Sequence, residues 1–430
     1  DILKAQGYTT ALCGKNHSHL TPSDFDYHDI NGHLGVEEKQ LLNEKQQVLD
    51  RFLKTLDFID SQEPSPGDVT AQLPYRNVSS ALSFIDSVQQ ETPFFAWLSF
   101  AEPHNPYQVP EPYFSLFPVE SLPPISTSPA DLEAKGERFT WIRSIWEKVL
   151  GPEIDNRILR QRANYLGMLR LIDDQFKRLV TGLEERKILD NTLILFLSDH
   201  GDFVGEYGLM RKGPDLPDVL THIPMIWRGP GIAQQGRVSQ AFVNIVDVLP
   251  TLCDFLGVAT PFGVQGKSIR AVLSDEAYDE KEFATSYAES GFSGLFWDDN
   301  DELTVQQEGA CRNWETFDCL NTWTQSGQVR MLCKGDYKIQ MDMMGNGYLY
   351  NLKNDPMEVA NLWNSQEHDA VKIDMLTELT SAMLRACDPI PAPHNRYRTK
   401  IHPKGYWFDK AWHSDDPAVK EVPITVSHRK

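Results

Sequence analysis

The chain has 430 residues, 41% of them hydrophobic and 24% charged, with a formal net charge of -20 at pH 7. That length supports a large core in one or two domains, and no apolar run approaches the ~20 residues of a membrane-spanning helix. The acidic balance argues against nucleic acid or an anionic membrane as partner, and an anionic substrate would need a locally built positive site.

Ile2 to Gly7 reads as the end of a helix stopped by Gly7. Tyr8 to Cys13 reads as a strand, followed by Gly14, Lys15, Asn16 and His17. Glu37 to Asp60 is charged and periodic, a surface helical region, and Ser61 to Gly67 is a Pro- and Ser-rich loop. Val78 to Gln90 has helical spacing. Asn77-Val78-Ser79 spells a glycosylation sequon, a pattern that also arises by chance. Pro93 to Phe100 (PFFAWLSF) is a buried-strand candidate ending in Glu102, Pro103, His104, Asn105 and Pro106. Pro106 to Pro129 is an irregular connection. Arg157 to Arg186 is an amphipathic helix with Leu166, Leu169, Leu171, Ile172, Phe176 and Leu179 on or near one face.

Leu193 to Leu197 is a continuous apolar run that fits a strand buried on both faces of a parallel sheet. Ile223 to Trp227 is a further strand, and Val243 to Leu256 a helix ended by Gly257. This alternation is the pattern of an α/β domain with a large, mostly parallel sheet flanked by helices. The texture changes after Gln325, dividing the chain into 1–325 and 326–430. Val329 to Cys333, Tyr337 to Met341 and Tyr348 to Leu352 are short strands, with turns at Gly335-Asp336 and Gly345-Asn346-Gly347. With a closing helix over Asp369 to Cys387 they make a small antiparallel C-terminal subdomain. The six cysteines lack paired C-x-x-C spacing. Cys311, Cys319 and Cys333 are close enough in sequence for one disulfide, or stand as free thiols.

The ends of the strands carry the chemistry. Lys15 and His17 follow the first, His104 the second, Asp199 and His200 the third, and Lys212 lies ten residues beyond Asp202. Ligands in open α/β sheets gather beyond the carboxyl ends of strands. Adjacent Asp199 and His200 offer a hard oxygen and a borderline nitrogen to a metal. Each residue also has a plainer reading: Asp199 as a helix cap, Lys15 as a solvated lysine, His104 as a histidine on a backbone carbonyl, Arg211-Lys212 as a solvated pair. Together, a metal and several cationic donors suit a tetrahedral oxyanion such as sulfate or phosphate.

Six segments, in order, make the chain similar to the sulfatases of the alkaline phosphatase superfamily. GYTTALCGKNH (Gly7 to His17) resembles the family's G-Y-x-T-x-x-x-G-K-W-H element, and PFFAWLSFAEPHNPY (Pro93 to Tyr107) its strand ending in P-H-x-P. SDHGDFVGEYGL (Ser198 to Leu209) resembles its metal-binding element and THIPMIWRGPGI (Thr221 to Ile232) its next strand. VDVLPTLCDFLG (Val246 to Gly257) and LYNLKNDPMEVANL (Leu349 to Leu362) resemble its late helix and C-terminal sheet.

The resemblance implies an alkaline-phosphatase-like fold, with 1–325 as the catalytic domain and 326–430 as a C-terminal subdomain. It implies that Asp199 and His200 ligate a divalent metal, Ca²⁺ first and Mg²⁺ or Mn²⁺ as alternatives. Many members have Asn in place of His200, and the Asp-His pairing is closer to the iduronate-2-sulfatase, choline-sulfatase and phosphonate monoester hydrolase branches. Lys15 would hold the nucleophile or a sulfate oxygen, and His17 would contact the nucleophile. His104 and Lys212 would bind sulfate and stabilise the leaving alcohol. Asn16 stands where the family has Trp, a position expected to tune packing.

The family's nucleophile is a formylglycine made in a Cys/Ser-x-Pro-x-Arg motif, which does not occur in these 430 residues. The motif and two further metal-binding aspartates lie upstream of the Gly-Tyr element in the family. They are therefore expected in an N-terminal segment of the same or a second polypeptide. The activity implied is hydrolysis of sulfate esters on a sulfated small molecule or glycan. The alternatives are a phosphonate monoester or phosphodiester hydrolase, or a non-catalytic sulfoglycan-binding fragment. A periplasmic, secreted or lysosome-like location follows from the same analogy. Trp141, Trp146, Trp297, Trp314 and Trp323 would suit sugar stacking or core packing.

Overall fold

The computed structural model describes residues 2–36, 42–56, 58–213, 215–233, 236–261, 264–291 and 327–386. These residues fall into two compact units. The first runs to Asn191 and includes the segment from Asp202 to Gly213. The second holds Thr192–Gly201 and the chain from Asp215 onward.

In the first unit, the short helix α1 (Ile2–Ala5) leads into β1 (Thr9–Gly14). β1 is the central strand of a three-stranded parallel sheet, between β2 (Tyr27–Ile30) and β3 (Phe94–Ser99). From Thr10 to Gly14 it is wholly buried, as a strand covered on both faces requires. β2 has no apolar alternation (Tyr-His-Asp-Ile) and was not foreseen from sequence. Its place is fixed by parallel pairing of Ala11 with Tyr27 through Gly14 with Ile30. The expected helical region narrows to α2 (Glu44–Lys54), whose Asn43 and Gln46 cap each other reciprocally. Residues 37–41 lie outside the described set.

Helix α3 (Leu73–Ser87) covers the sheet, packing Ala81 and Phe84 on Ala11 and Cys13. Asn77 is only 1% exposed in that helix, so the sequon it opens is not an acceptor site. The irregular connection after β3 contains α4 (Tyr113–Leu116), and α5 (Leu132–Lys135) and α6 (Glu137–Leu150) follow. Trp146, in α6, is core.

The long helix α7 (Ile154–Glu185) matches the amphipathic stretch, with Leu171 and Ile172 buried as expected. Leu169 is exposed, and the buried stripe includes Gln161, Asn164 and Gln175. Asn164 Nδ2 donates to the carbonyls of Ser61 (2.8 Å) and Tyr107 (2.9 Å), which pins the two loops behind the site. A hydrophobic-stripe argument cannot see this, because the helix is buried against backbone that needs donors.

In the second unit, β4 (Ile194–Leu197) pairs antiparallel with β5 (Met225–Arg228), after α8 (Asp218–Thr221). β4 is half-buried, not enclosed on both faces. An apolar run reports burial potential but not the direction of its neighbour, so its parallel assignment is corrected here. Helices α9 (Val248–Leu256) and α10 (Arg270–Ser274) follow, and Gly257 ends α9 in a left-handed conformation. The small sheet has four antiparallel strands, β6 (Thr285–Ser290), β7 (Val329–Lys334), β8 (Tyr337–Asp342) and β9 (Gly347–Asn351). Helix α11 (Asp369–Ala386) lays Met375, Leu379 and Ala382 on Leu332, Ile339 and Leu349. β6 is the strand that sequence reasoning did not supply.

Lys338 is buried in this unit and pairs with Glu358 at 2.9 Å. The other Glu358 oxygen accepts from the Asp218 backbone N–H at 2.9 Å, tying β8 to the start of α8. Among the described residues, Cys13, Cys253 and Cys333 are free buried thiols. Cys311, Cys319, Cys387, Trp297, Trp314 and Trp323 lie outside the described residues. Among the described residues, no helix is long and apolar enough to cross a membrane.

Candidate active site

Four of the six residues singled out from sequence lie in the first unit, Lys15, His17 and His104 after strands and Lys212 in the loop beyond Asp202. Lys15 leaves β1 directly, and its N–H donates to the Ser99 carbonyl at 3.0 Å. Gly14 makes this close approach feasible: its φ is +113°, and a Cβ there would sit 1.9 Å from Ser99 O. His17 follows on an exposed loop. Asn16 organises that loop, donating to the Leu20 carbonyl (2.7 Å) and accepting from the Ser18 N–H (3.0 Å). Asn16 therefore works by hydrogen bonding, a turn role rather than the packing role expected where the family has Trp.

His104 follows β3. Its Nδ1 donates to the Asn105 carbonyl at 2.8 Å, so the plain reading of this residue also holds. A carbonyl can only accept, so Nδ1 carries the hydrogen and the lone pair is on Nε2. Asn105 and Arg211 both donate to the carbonyl of Phe58. Phe58 has φ +56°, an uncommon backbone conformation for an aromatic residue. One carbonyl thus fixes the neighbours of both His104 and Lys212.

Arg211-Lys212 is not a solvated pair. Arg211 is buried, with its guanidinium 4.7 Å from the Trp146 ring centroid. Its N–H faces Tyr107 Oη and Asp202 Oδ1, both at 3.0 Å. Burial lowers the Arg211 pKa to about 10 against the pull of Tyr107, Asp202 and Asp60. Lys212 is therefore delivered from a rigid stem.

At the centre is a residue the sequence reading missed. His33 lies against His104, ring centroids 4.1 Å apart and planes at 34°. His17 and Phe58 meet its ring edge-on, each at 6.0 Å. Burial, then the charges of Lys15, His17 and Lys212, pushes the His33 pKa down to about 3. Burial, then His33, with smaller effects of Lys15 and Lys212, pushes His104 down to about 2, although its bond to Asn105 raises it. Both rings are therefore neutral imidazoles beside two lysines. The signal in the sequence was Asn31-Gly32-His33-Leu34-Gly35, a histidine in a tight turn bracketed by glycines.

Glu102, two residues before His104, is also buried. Desolvation raises its pKa to about 7, against the lowering effect of its own backbone, Arg76 and Lys15.

Asp199 and His200 belong to the second unit, at the carboxyl end of β4. No helix starts at Asp199, so it is not a cap; its Oδ1 accepts from the His200 N–H at 3.0 Å. His200 Nδ1 donates to the Gly201 carbonyl at 2.6 Å, which puts the lone pair on Nε2. Nε2 lies 3.9 Å from Asp199 Oδ2. One imidazole nitrogen and one carboxylate side by side fit two ligands of a divalent cation. Among the described residues, no three His, Cys, Asp or Glu side chains form a group that could hold a metal ion.

The fold and this cluster define an α/β protein with lysines and imidazoles gathered at its strand ends. The sequence profile of the Sulfatase family matches residues 1–258, more than half of the chain, and the chain belongs to the sulfatase family. It is 26% identical to an arylsulfatase of Clostridium perfringens over 403 residues, covering 87% of this chain and 75% of that protein. A phosphonate monoester hydrolase from Silicibacter pomeroyi has the same fold, with a TM-score of 0.67 at 21% identity over 89% of this chain and 78% of that one. So does BT4656, solved with D-glucosamine-2-N,6-O-disulfate, with a TM-score of 0.63 at 18% identity over 90% of this chain and 82% of that one.

Proposed function

We propose that the protein hydrolyses sulfate esters of a sulfated carbohydrate, with Lys15, His17, His104 and Lys212 as its oxyanion and leaving-group site. The observation that carries the reading is the gathering of these four side chains around His33 in one unit. Membership of the sulfatase family supports the reaction. The glucosamine disulfate of BT4656 supports a glycan substrate by analogy.

Lys15 and Lys212 supply fixed positive charge for sulfate oxygens, where charge builds in the transition state. His104 is neutral before substrate enters, with its lone pair on Nε2. An arriving anion favours the imidazolium, so His104 takes up a proton and then gives it from Nε2 to the leaving alcohol oxygen. His17, on the exposed loop after β1, would contact the nucleophile. Asp199 and His200 would hold a divalent cation, Ca²⁺, Mg²⁺ or Mn²⁺. That cation would draw charge from the ester oxygens, and a formylglycine from outside these 430 residues would supply the oxygen nucleophile. A periplasmic, secreted or lysosome-like compartment accords with this reading.

The test compares turnover by the intact protein of an aryl sulfate, an aryl phosphodiester and an aryl phosphonate monoester. Release of inorganic sulfate from sulfated oligosaccharides and peptide mapping for formylglycine accompany it. Preference for the sulfate ester is the expected result. Preference for the phosphorus esters would support a phosphonate monoester or phosphodiester hydrolase, which the fold shared with the Silicibacter enzyme favours. Binding of sulfated oligosaccharide with no turnover would make it a binding protein.

A further inference from the structure

His33 sits on a turn built with unusual rigidity for a loop residue. Gly32 and Gly35 exchange backbone hydrogen bonds (2.9 and 3.2 Å), so His33 and Leu34 form the tip of a two-residue hairpin turn. Leu34 packs into the apolar cluster of Leu49, Leu53, Ala71 and Leu73. On the far side, Gly35 has φ +95°, and a Cβ there would fall 2.2 Å from the Asp50 carboxyl carbon. The Asp50 carboxylate accepts from the Val36 N–H at 3.1 Å and is paired with Arg76 at 2.9 Å in the interior. Ahead of the turn, the Asn31 N–H donates to the Gly14 carbonyl at 3.1 Å, beside Lys15. The turn is held at four points, and the side chain it presents is an imidazole.

We propose that His33 is a positioning residue for His104: its ring, fixed by the 31–35 turn, lies on the His104 ring at 4.1 Å and holds that imidazole in the Nδ1–H form, with Nε2 toward the ester's leaving oxygen. The proposal rests on the sulfate-ester reading for the identity of the leaving oxygen, but its effect on the His104 ring does not.

The physical reason is simple. The hydrogen bond from Nδ1 to Asn105 favours the Nδ1–H form, and what packs on the ring's faces decides how firmly the ring keeps that pose. A second ring packed on its face restricts rotation and excludes the water that mediates exchange between the two nitrogens. The edge-on contact of Phe58 with His33 completes the stack. The low pKa of His104, set first by burial and then by His33, agrees with close contact of the two rings.

The test uses the intact protein with ¹⁵N-labelled histidine, comparing wild type with His33→Ala, His33→Phe and His33→Asn. In wild type at pH 7, the His104 resonances report the Nδ1–H tautomer. In His33→Ala they move toward a mixture, and kcat on an aryl sulfate falls by about 10- to 100-fold with KM little changed. His33→Phe restores a stacked ring, keeps the tautomer, and retains kcat within about threefold of wild type. Wild-type tautomer and kcat in His33→Ala would overturn the proposal, as would a His33→Phe enzyme as impaired as His33→Ala. Should His33→Ala fail to fold, His33→Asn, which keeps polarity without a stacking ring, takes its place against His33→Phe. A wild-type protein that turns over no sulfate ester refutes the functional reading, while the tautomer measurement still decides the role of His33.

Discussion

Tyr107 donates its phenolic hydrogen to Asp202 Oδ2 at 2.7 Å, and both groups are held by the same backbone N–H of Arg211. Burial, then Asp202, raises the Tyr107 pKa well above its ordinary value, so the phenol is the donor at any physiological pH. This bond anchors the start of the 202–213 segment, which carries Lys212 near its end. Tyr107→Phe leaves the half-buried Asp202 carboxylate one donor short. We predict a loss of about 1–3 kcal/mol of stability, read from denaturant melts. Binding of substrate should weaken as Lys212 loosens, and an unchanged midpoint would show that the network does not support the segment.

His104 is the residue whose loss should affect chemistry most directly. His104→Ala should lower kcat by roughly 10²-fold or more, as for removal of a transition-state donor. Stability should change little or rise in acid, because a buried ring that resists protonation is gone. Turnover at the wild-type rate would remove His104 from the site.

The two buried histidines and Glu102 make opposite contributions to acid stability. His33 and His104 have folded-state pKa values near 3 and 2, below the ordinary 6.5. Between pH 6.5 and 3 the unfolded chain binds protons that the folded chain refuses, so stability falls as pH falls through that window. His33→Phe should remove one proton from that slope, about 1.4 kcal/mol per pH unit at most. Glu102 has a folded pKa near 7, above its ordinary 4.5. The folded state keeps its proton longer, so its contribution favours folding below pH 4.5 and is lost as pH rises to 7. Glu102→Gln should therefore be more stable than wild type above pH 7 and lose that advantage toward pH 4.5. Denaturant titrations at several pH values check both signs, and a Glu102→Gln curve parallel to wild type would contradict the second.

The Lys338–Glu358 pair predicts a larger effect. Both side chains are almost wholly buried, at 1% and 2% exposure. Glu358→Ala leaves the buried ammonium with only the longer contacts to Asp218 Oδ1 (3.8 Å) and Thr221 Oγ1 (3.4 Å), and removes the acceptor of the Asp218 N–H. The expected cost is about 3–5 kcal/mol. Lys338→Met with Glu358→Leu should recover much of it, since no charge is then stranded. A thermal melt of the two variants separates these outcomes, and a single variant as stable as wild type would mean the pair carries no net stability.

Much of the fold was legible because the segments that form it are locally consistent. β1, β3, β7, β8 and β9, and helices α3, α7, α9 and α11, each combine a period, a length and a stop signal. β2 and β6 were not legible. Tyr-His-Asp-Ile and Thr-Ser-Tyr-Ala-Glu-Ser have no buried alternation, and both are strands because a neighbouring strand offers them a ladder. The buried face of α7 was misjudged at Leu169 for a related reason: its contacts are carbonyls of the 61 and 107 loops, which Asn164 serves and leucine cannot.

The sequence by itself carried the family and the α/β class, and it nominated Lys15, His17, His104, Asp199 and His200 from strand ends and Lys212 from the loop beyond Asp202. Tertiary structure decided which of them meet in the first unit and what surrounds them. His33 and Phe58 lie outside the motif segments, and Tyr107 and Asp202 lie within them without a role that the motif assigns. They matter through a 4.1 Å ring contact, one shared carbonyl and one buried phenol–carboxylate bond. Motifs record the groups that chemistry requires. The groups that hold them in place are chosen by packing, and packing exists only once the chain has folded.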